Sequence, residues 1–313
     1  MKKNINYLIS EKFTKRHIFL TDFLSALANT KTGLFGAFVV LLMFFLAIFA
    51  PWIAPYDPTL IDVPNRLQPP NLSHWMGTDL AGRDVLSRLM WGARPSLQVG
   101  VLAVLIGMPG GIIIGLIAGF YRGSLLETIL MRATEIIAAV PLLIVAVAIV
   151  GILGVNPIDM GFFTITNEIK IVFVLGILYI PGLARVVFAV ASTESVSDYI
   201  RARKTQGVRD FSLIFGDVLP NCLSVVTVWA TLLTAGGVLA EAGLSFVGLG
   251  VQPPDASWGV MLSEARKFIF SGEWWLLFFP GLAISITVIG FNLFGDALRD
   301  ILDPRHYTGP RID

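Results

Sequence analysis

Long apolar runs, all but one of them uncharged, divide the chain into segments long enough to cross a bilayer. A helix needs about 20 apolar residues to span about 30 Å of hydrocarbon. Six runs meet this length, at residues 33–53, 95–121, 136–158, 171–191, 218–240 and 274–295. Trp52, Tyr56, Trp274 and Trp275 lie at the ends of two of these runs, where aromatic side chains settle at membrane interfaces. The pattern predicts an all-α membrane protein with six transmembrane helices.

Composition supports this prediction and narrows the functional classes. Of the 313 residues, 55% are hydrophobic and 14% are charged, and the mean hydropathy is +0.75. Soluble domains contain about 25% charged residues, so a soluble globule is excluded. The net charge of +1 gives no reason to expect nucleic-acid binding. The single cysteine, Cys222, lies inside an apolar run and is predicted to be a packing residue.

Lysine and arginine are distributed unequally between the two sides of the predicted membrane domain. The tails and loops on the side of both termini, counted together with Arg185 near the end of the fourth span, contain 16 of them, whereas the loops on the opposite side contain 7. The positive-inside rule states that cytoplasmic segments carry the excess of these residues. Both termini are therefore predicted to be cytoplasmic.

The outer loop before the second span fits this rule less well, because it contains several arginines. Apolar residues at positions 85, 86, 89 and 90 fall on one helical face, and Arg83, Asp84 and Arg88 lie off that face. This spacing predicts an amphipathic helix along the interface, capped by Thr78 or Asp79. Such a helix either packs on the outer face of the protein or contacts a partner, and the sequence leaves both open.

Small residues recur every four positions in the second span, and this spacing predicts tight helix packing. The absence of side chains on one helical face allows a second backbone to approach closely. A role in lining a solute path is the alternative. The predicted packing residues are Gly107, Gly111, Gly115 and Gly119.

The cytoplasmic segment between the fourth and fifth spans has the pattern of two short helices. Ser197 or Asp198 is a suitable N-cap for the first helix, Gly207 suits its left-handed C-terminal position, and Asp210 is a suitable cap for the second. Apolar residues at 211, 214, 215 and 218 then share one face. The segment is predicted to be a helix-glycine-helix elbow with one apolar side.

This segment resembles the cytoplasmic coupling loop of permeases from ATP-binding cassette (ABC) importers. The matching residues are Tyr199, Ile200, Ala202, Gly207, Val218, Leu219, Pro220 and Asn221. Three residues depart from the family pattern: Arg203 replaces a second alanine, Val208 replaces an alanine, and Asp217 replaces a histidine. The resemblance implies that the loop contacts an ATPase through Tyr199, Ile200, Ala202, Gly207, Asp210, Phe211 and Ile214.

Further segments are similar to the C-type permease subunits of dipeptide and oligopeptide (peptide/nickel-type) importers. They are residues 74–88, 92–97, 241–254, 257–259 and 295–305. The resemblance implies the ABC type I importer permease fold in a bacterial inner membrane. It also implies a homologous second permease, two cytoplasmic ATPases that bind ATP, and an extracytoplasmic solute-binding protein, with lipid around the helices.

The predicted organisation follows from these matches. Residues 1–32 are expected to form a cytoplasmic tail, and residues 33–94 are expected to form the first span and the outer loop. The core permease domain is expected at residues 95–295, with its coupling loop at 194–217. Residues 296–313 are expected to form a second cytoplasmic tail. The solute is expected to be a peptide or a peptide-like molecule. The sequence does not distinguish dipeptides, longer peptides, glutathione, metal chelates and sugars.

Two rival classes are disfavoured by missing residues. The sequence contains no Gly-x-x-x-x-Gly-Lys-Ser/Thr loop, so no ATP site, cofactor or catalytic residue is expected in this chain. A membrane-embedded enzyme would need a base within the membrane, yet the three histidines lie in tails or a loop. An ion-coupled secondary transporter usually has ionisable residues near the midplane, whereas the predicted spans contain only Arg185.

Overall fold

The computed structural model describes Leu27, residues 30–159, Gly161 and residues 164–302. Its α-helices are α1 (Lys31–Ile53), α2 (Val85–Phe120), α3 (Leu125–Ala138), α4 (Leu142–Leu153), α5 (Asn167–Glu194), α6 (Asp198–Thr205), α7 (Asp210–Ser212), α8 (Leu219–Phe246), α9 (Trp258–Ala265) and α10 (Trp275–Leu302). A π-helical turn covers Leu213–Val218, and short 3-10 helices cover Val63–Asn65 and Arg266–Phe268. Strands β1 (Ile158–Asp159) and β2 (Thr164–Ile165) pair antiparallel, with Ile158 opposite Ile165. The predicted tails at 1–32 and 296–313 lie largely outside the described residues.

Within the described part of the chain, five helical segments are individually long and apolar enough to cross a membrane. They are α1, α2, α5, Asp210–Phe246 and α10. Helices α3 and α4 form a sixth candidate span that bends by 77° at a short break. The prediction of a helical protein with six spans is therefore confirmed, with the third span broken.

The third span differs from the straight helix expected at 136–158. Helix α3 ends at Ala138, and Pro141 directly precedes α4. Proline has no amide hydrogen and clashes with the preceding turn, so the chain changes direction here. Helix α4 then ends at Leu153, and the C-cap residue Gly154 has a φ of 70°. The expected single helix was wrong because its apolar run crosses this proline.

The second span also begins earlier than expected. Helix α2 is continuous from Val85, and the carboxylate of Asp84 accepts a hydrogen bond of 2.8 Å from the Ser87 amide. The predicted separate interfacial helix is therefore wrong, and its cap is Asp84 rather than Thr78 or Asp79. Continuation of α2 is possible because the charges in its first turn are buried and paired, as described below.

Helix α2 lies at the centre of the bundle, packing along α5 and contacting α1 and α8. Helix α10 packs against α1 and α8, and the outer helix α9 contacts α8 and α10. At the opposite end of the bundle, α6, α7 and the π-helical turn connect α5 to α8. These short elements form the candidate functional site.

Candidate functional site

The segment between α5 and α8 forms two arms that meet at Gly207. The φ of Gly207 is 79°, which confirms the predicted left-handed conformation. Its amide donates to the Lys204 carbonyl at 3.1 Å, and the Val208 amide donates to the Arg203 carbonyl at 3.3 Å. This pair of bonds is a Schellman motif, which satisfies carbonyls left unpaired at the end of α6. Glycine is favoured because it adopts positive φ without a steric penalty.

The second arm begins at Asp210 and continues through the π-helical turn. Arg209, rather than Asp210, occupies the N-cap position, so the predicted capping role of Asp210 was wrong. The Asp210 carboxylate instead accepts a hydrogen bond from Tyr121 and lies close to the ammonium group of Lys204. Ser197 does occupy the N-cap position of α6, but its side chain makes no capping hydrogen bond. The π-helical turn contains Gly216, whose carbonyl the ring of Pro220 would crowd in a regular α-helix.

One face of this elbow is buried against the ends of the membrane helices. Ile200 and Ile214 are 1% and 5% exposed, so the expectation that both are presented to a partner was wrong. They pack in one apolar cluster with residues of the π-helical turn, α2, α5 and α8: Leu213, Val218, Leu116, Val187, Ala191, Cys222 and Val226. Burial of the two isoleucines stabilises the elbow on the bundle and leaves its other face for contacts outside this chain.

The opposite face of the elbow is exposed and includes aromatic side chains. Phe211 is 72% exposed and Tyr199 is 43% exposed. Ala202 is also exposed, and the Phe211 and Phe215 rings pack together with their centroids 4.7 Å apart. Exposed aromatic side chains at the centre of a small patch are typical of protein interfaces.

Polar contacts connect the first arm to α5 and α8. The Tyr199 hydroxyl donates to Glu194 Oε2 at 2.7 Å, and Asn221 Nδ2 donates to the Tyr199 oxygen at 3.1 Å and to Glu194 Oε2 at 3.3 Å. Partial burial, followed by the hydrogen bond to Glu194, raises the pKa of Tyr199. The phenol therefore stays a neutral donor at physiological pH. Movement of α6 is thereby linked to the end of α5 and the start of α8.

A second set of polar contacts connects the elbow to α2. The hydroxyl of Tyr121, which follows α2 directly, donates to Asp210 Oδ2 at 3.0 Å. Lys204 Nζ lies 3.8 Å from Asp210 Oδ1 and 5.4 Å from the centroid of the Phe120 ring. Desolvation and the hydrogen bond to Asp210 raise the pKa of Tyr121. The elbow thus contacts the ends of three candidate spans in one small region.

The four glycines of the second span lie along the interface between α2 and α5 that leads to this region. A Cβ atom at Gly107 would lie 2.5 Å from the Gly176 carbonyl oxygen, and one at Gly111 would lie 2.4 Å from Leu183 Cβ. At Gly115 and Gly119 the nearest atom would be 2.6 Å away. The backbones of α2 and α5 therefore approach too closely for larger residues.

Comparison with known proteins identifies two matching families. Residues 111–306 match the family described as binding-protein-dependent transport system inner membrane component, and residues 19–70 match the N-terminal TM domain of oligopeptide transport permease C. The chain is 41% identical to a di/tripeptide transport system permease protein of Pseudomonas aeruginosa, covering 91% of this chain and 92% of the relative. It is 38% identical to a dipeptide transport system permease protein of Bacillus subtilis, with coverages of 89% and 83%. A glutathione transport system permease protein of Pectobacterium atrosepticum is 35% identical, with coverages of 92% and 90%.

The chain belongs to the binding-protein-dependent transport permease family. It is a multi-pass permease of the bacterial inner membrane and a subunit of an ABC importer. Permeases of this family lack an ATPase site of their own, so this chain is a transport subunit rather than an enzyme. Family membership also implies, in general terms, a partner permease, an ATPase and a binding protein. Among the described residues, no group of histidine, cysteine, aspartate and glutamate could hold a metal ion.

At the other end of the permease, the arginines of the outer loop form a buried charged cluster. Arg83 contacts Asp79 at 2.6 Å and Glu264 at 2.9 Å, and Arg88 contacts the same two carboxylates at 3.1 and 3.0 Å. The side chain of Arg88 is 1% exposed. The expected solvent-facing position of these charges was therefore wrong, because Glu264 of α9 supplies the pairing charge from a distant part of the sequence. Asp84 is likewise buried and contacts His74 Nδ1 at 2.9 Å.

The predicted fifth span, residues 218–240, ends just before Glu241, whereas Glu241 lies inside α8 and is fully buried. Its carboxylate accepts hydrogen bonds from Ser96 at 2.7 Å and from Ser245 at 2.6 Å. The premise that Arg185 is the only ionisable residue in the spans was therefore wrong. A signal was available, because Ser245 lies four residues after Glu241 and so on the same helical face.

Proposed function

We propose that this permease and a homologous second permease form a translocation path for small peptides or peptide-like solutes. The names of the relatives from Pseudomonas aeruginosa, Bacillus subtilis and Pectobacterium atrosepticum support this solute class. Two cytoplasmic ATPases bind the ATP, and an extracytoplasmic binding protein delivers the solute. This chain itself needs no cofactor, and its outer surface contacts lipid and the partner permease.

The elbow is the part of this chain that receives the movement of an ATPase. The proposal rests on one observation, which is that the elbow has two different faces. Ile200 and Ile214 are anchored in the bundle on one face, whereas Tyr199, Ala202 and Phe211 are exposed on the other. An ATPase that binds the exposed face displaces the elbow as a unit. The contacts of Asp210 with Tyr121, and of Tyr199 with α5 and α8, then pass this displacement to three spans.

Gly207 fixes the angle between the two arms of this coupling element. Because the exposed residues lie on both arms, a change in the angle would misplace part of the surface offered to the ATPase. Both termini and the elbow lie on the cytoplasmic side in this proposal. The distribution of 16 lysine and arginine residues on that side and 7 on the other supports the orientation.

Reconstitution of the complete complex tests the proposed function. The two permeases and two ATPases are placed in vesicles with the binding protein, and uptake of a labelled dipeptide is measured. Uptake is expected to require ATP and to continue after ionophores collapse the ion gradients. Uptake that needs an ion gradient but not ATP would instead support an ion-coupled secondary transporter.

A further inference from the structure

Arg203 and Asp217 form an ion pair that joins the two arms of the elbow. Arg203 lies near the end of α6, and Asp217 lies in the π-helical turn, 14 residues further along the chain. Guanidinium nitrogen Nη1 of Arg203 contacts Oδ1 of Asp217. The chain between them passes through Gly207, so the pair closes the elbow across its bend.

This pair is more buried than an ordinary surface ion pair. The side chain of Asp217 is 14% exposed, whereas that of Arg203 is 43% exposed. The other carboxylate oxygen of Asp217, Oδ2, is buried and has no hydrogen-bond partner among the described residues. Loss of Arg203 would therefore leave a largely buried carboxylate without its cation, which is more damaging than loss of an exposed pair.

The position of Asp217 also connects the pair to the membrane helices. The Asp217 carbonyl accepts a hydrogen bond of 3.2 Å from Asn221 Nδ2, which also contacts Tyr199 and Glu194. Asp217 thus lies where α6, the end of α5 and the start of α8 come together. A shift of α6 that pulls on Arg203 acts directly on the first turn of α8.

We infer that Arg203 and Asp217 act as one positioning unit, which fixes the angle of the elbow and transmits ATPase movement to α8. The inference rests on the proposed coupling role of the elbow and adds a pair of residues on which that role depends. It predicts that transport depends on the pair rather than on either charge alone.

A double-mutant cycle in the reconstituted complex tests this inference. The variants are Arg203→Ala, Asp217→Ala and the double variant. The readout is the stimulation of ATP hydrolysis by loaded binding protein, measured per assembled complex, together with dipeptide uptake per ATP hydrolysed. Each single change is expected to lower both ratios by about fivefold, and the double change by no more than the worse single change.

Two further variants separate positioning from a general loss of structure or charge. Arg203→Lys is expected to recover most of the coupling, because one ammonium group can replace the single guanidinium nitrogen that contacts Asp217. Arg201→Ala removes the same charge from α6, and its effect is expected to be independent of Asp217→Ala. Ratios per assembled complex do not change when a variant merely lowers the amount of complex.

The outcomes distinguish this inference from the proposed function. Three results would overturn the positioning unit. The first is that the fold-losses of the two alanine variants multiply in the double variant, and the second is that both single variants keep unchanged ratios. The third is that Arg203→Lys is no better than Arg203→Ala. ATP-independent uptake by the wild-type complex would overturn the proposed function itself.

Discussion

The two ends of the permease use charged residues in opposite ways. At the outer end, Arg88 and Asp79 are almost completely buried, and Arg88 contacts both Asp79 and Glu264 within one cluster. At the elbow, Lys204 and Asp210 are 60% and 37% exposed, and their closest charged atoms are 3.8 Å apart. Water screens the contact between Lys204 and Asp210, so its rearrangement costs little, whereas separation of the buried cluster leaves charges unpaired. The comparison indicates a rigid cluster at the outer end and an elbow whose exposed contacts can rearrange around the more buried Arg203–Asp217 pair.

The largest expected effect is at the outer cluster. Arg88→Ala should lower the free energy of unfolding by about 3–5 kcal/mol, because Asp79 and Glu264 lose a buried partner. Arg132→Ala is a matched control, since Arg132 and Glu135 form an exposed pair, and it should cost less than about 1 kcal/mol. Denaturant unfolding of the purified permease measures both. Equal losses in the two variants would remove the contrast between buried and exposed charges.

The interface between α2 and α5 should show the next largest loss of stability. Gly111→Ala places a Cβ atom 2.4 Å from Leu183 Cβ, so the helices must separate. We expect a loss of about 1–3 kcal/mol, as for other overpacked sites. Gly182→Ala on α5 is the control, because a Cβ atom there meets no other atom within 4 Å. Unfolding measurements that show the same stability for both variants would contradict the close approach.

At the elbow, Gly207→Val should affect function much more than stability. The left-handed backbone costs a β-branched residue roughly 1–2 kcal/mol, which is small enough for the protein to insert and assemble. Dipeptide uptake per assembled complex should nevertheless be lost, because the angle between the arms changes.

Gly207→Asn provides the control at the same position, because asparagine tolerates the left-handed conformation. It should retain most of the uptake. Normal uptake per complex in Gly207→Val would indicate that Gly207 only ends α6.

The smallest effect on stability is expected at the exposed aromatic residues. Phe211→Ala should change the free energy of unfolding by less than about 0.5 kcal/mol, since surface substitutions rarely do more. It should nevertheless weaken ATPase binding by roughly tenfold or more, as expected for an aromatic residue at the centre of an interface. Phe270→Ala, at a fully exposed residue before α10, should leave ATPase binding unchanged. Co-purification of the ATPases with each variant measures this difference, and equal binding by both variants would argue against the elbow as the ATPase contact.

The contrast between the two ends also explains which features could be predicted from the sequence. The spans and the end of α6 follow from local patterns, namely uncharged runs and the glycine that suits positive φ. The outer cluster does not, because Glu264 lies 176 residues after Arg88 and local spacing cannot show that they meet. An arginine without a visible partner was therefore interpreted as facing water.

Within the candidate site, the limits of prediction have a similar cause. The pattern placed Ile200 and Ile214 on the elbow, but both helical arms have two faces, and only the packing of α2, α5 and α8 decides which face is covered. The pairing of Arg203 with Asp217 likewise depends on how the two arms fold back on each other. Glu241 could have been found from its spacing to Ser245, but its second hydrogen-bond donor, Ser96, lies on another helix.

Site-directed crosslinking tests most directly the central claim that the elbow is the ATPase contact of this permease. Single cysteines replace Ala202 on the elbow and Phe270 on the outer end, in a Cys222→Ser background and in the complete complex. The account predicts that the cysteine at position 202 crosslinks to an ATPase subunit and is protected from impermeant reagents added outside intact cells. It predicts that the cysteine at position 270 is labelled from outside and does not crosslink to an ATPase. Labelling of position 202 from outside, or crosslinking of position 270 to an ATPase, would contradict the account.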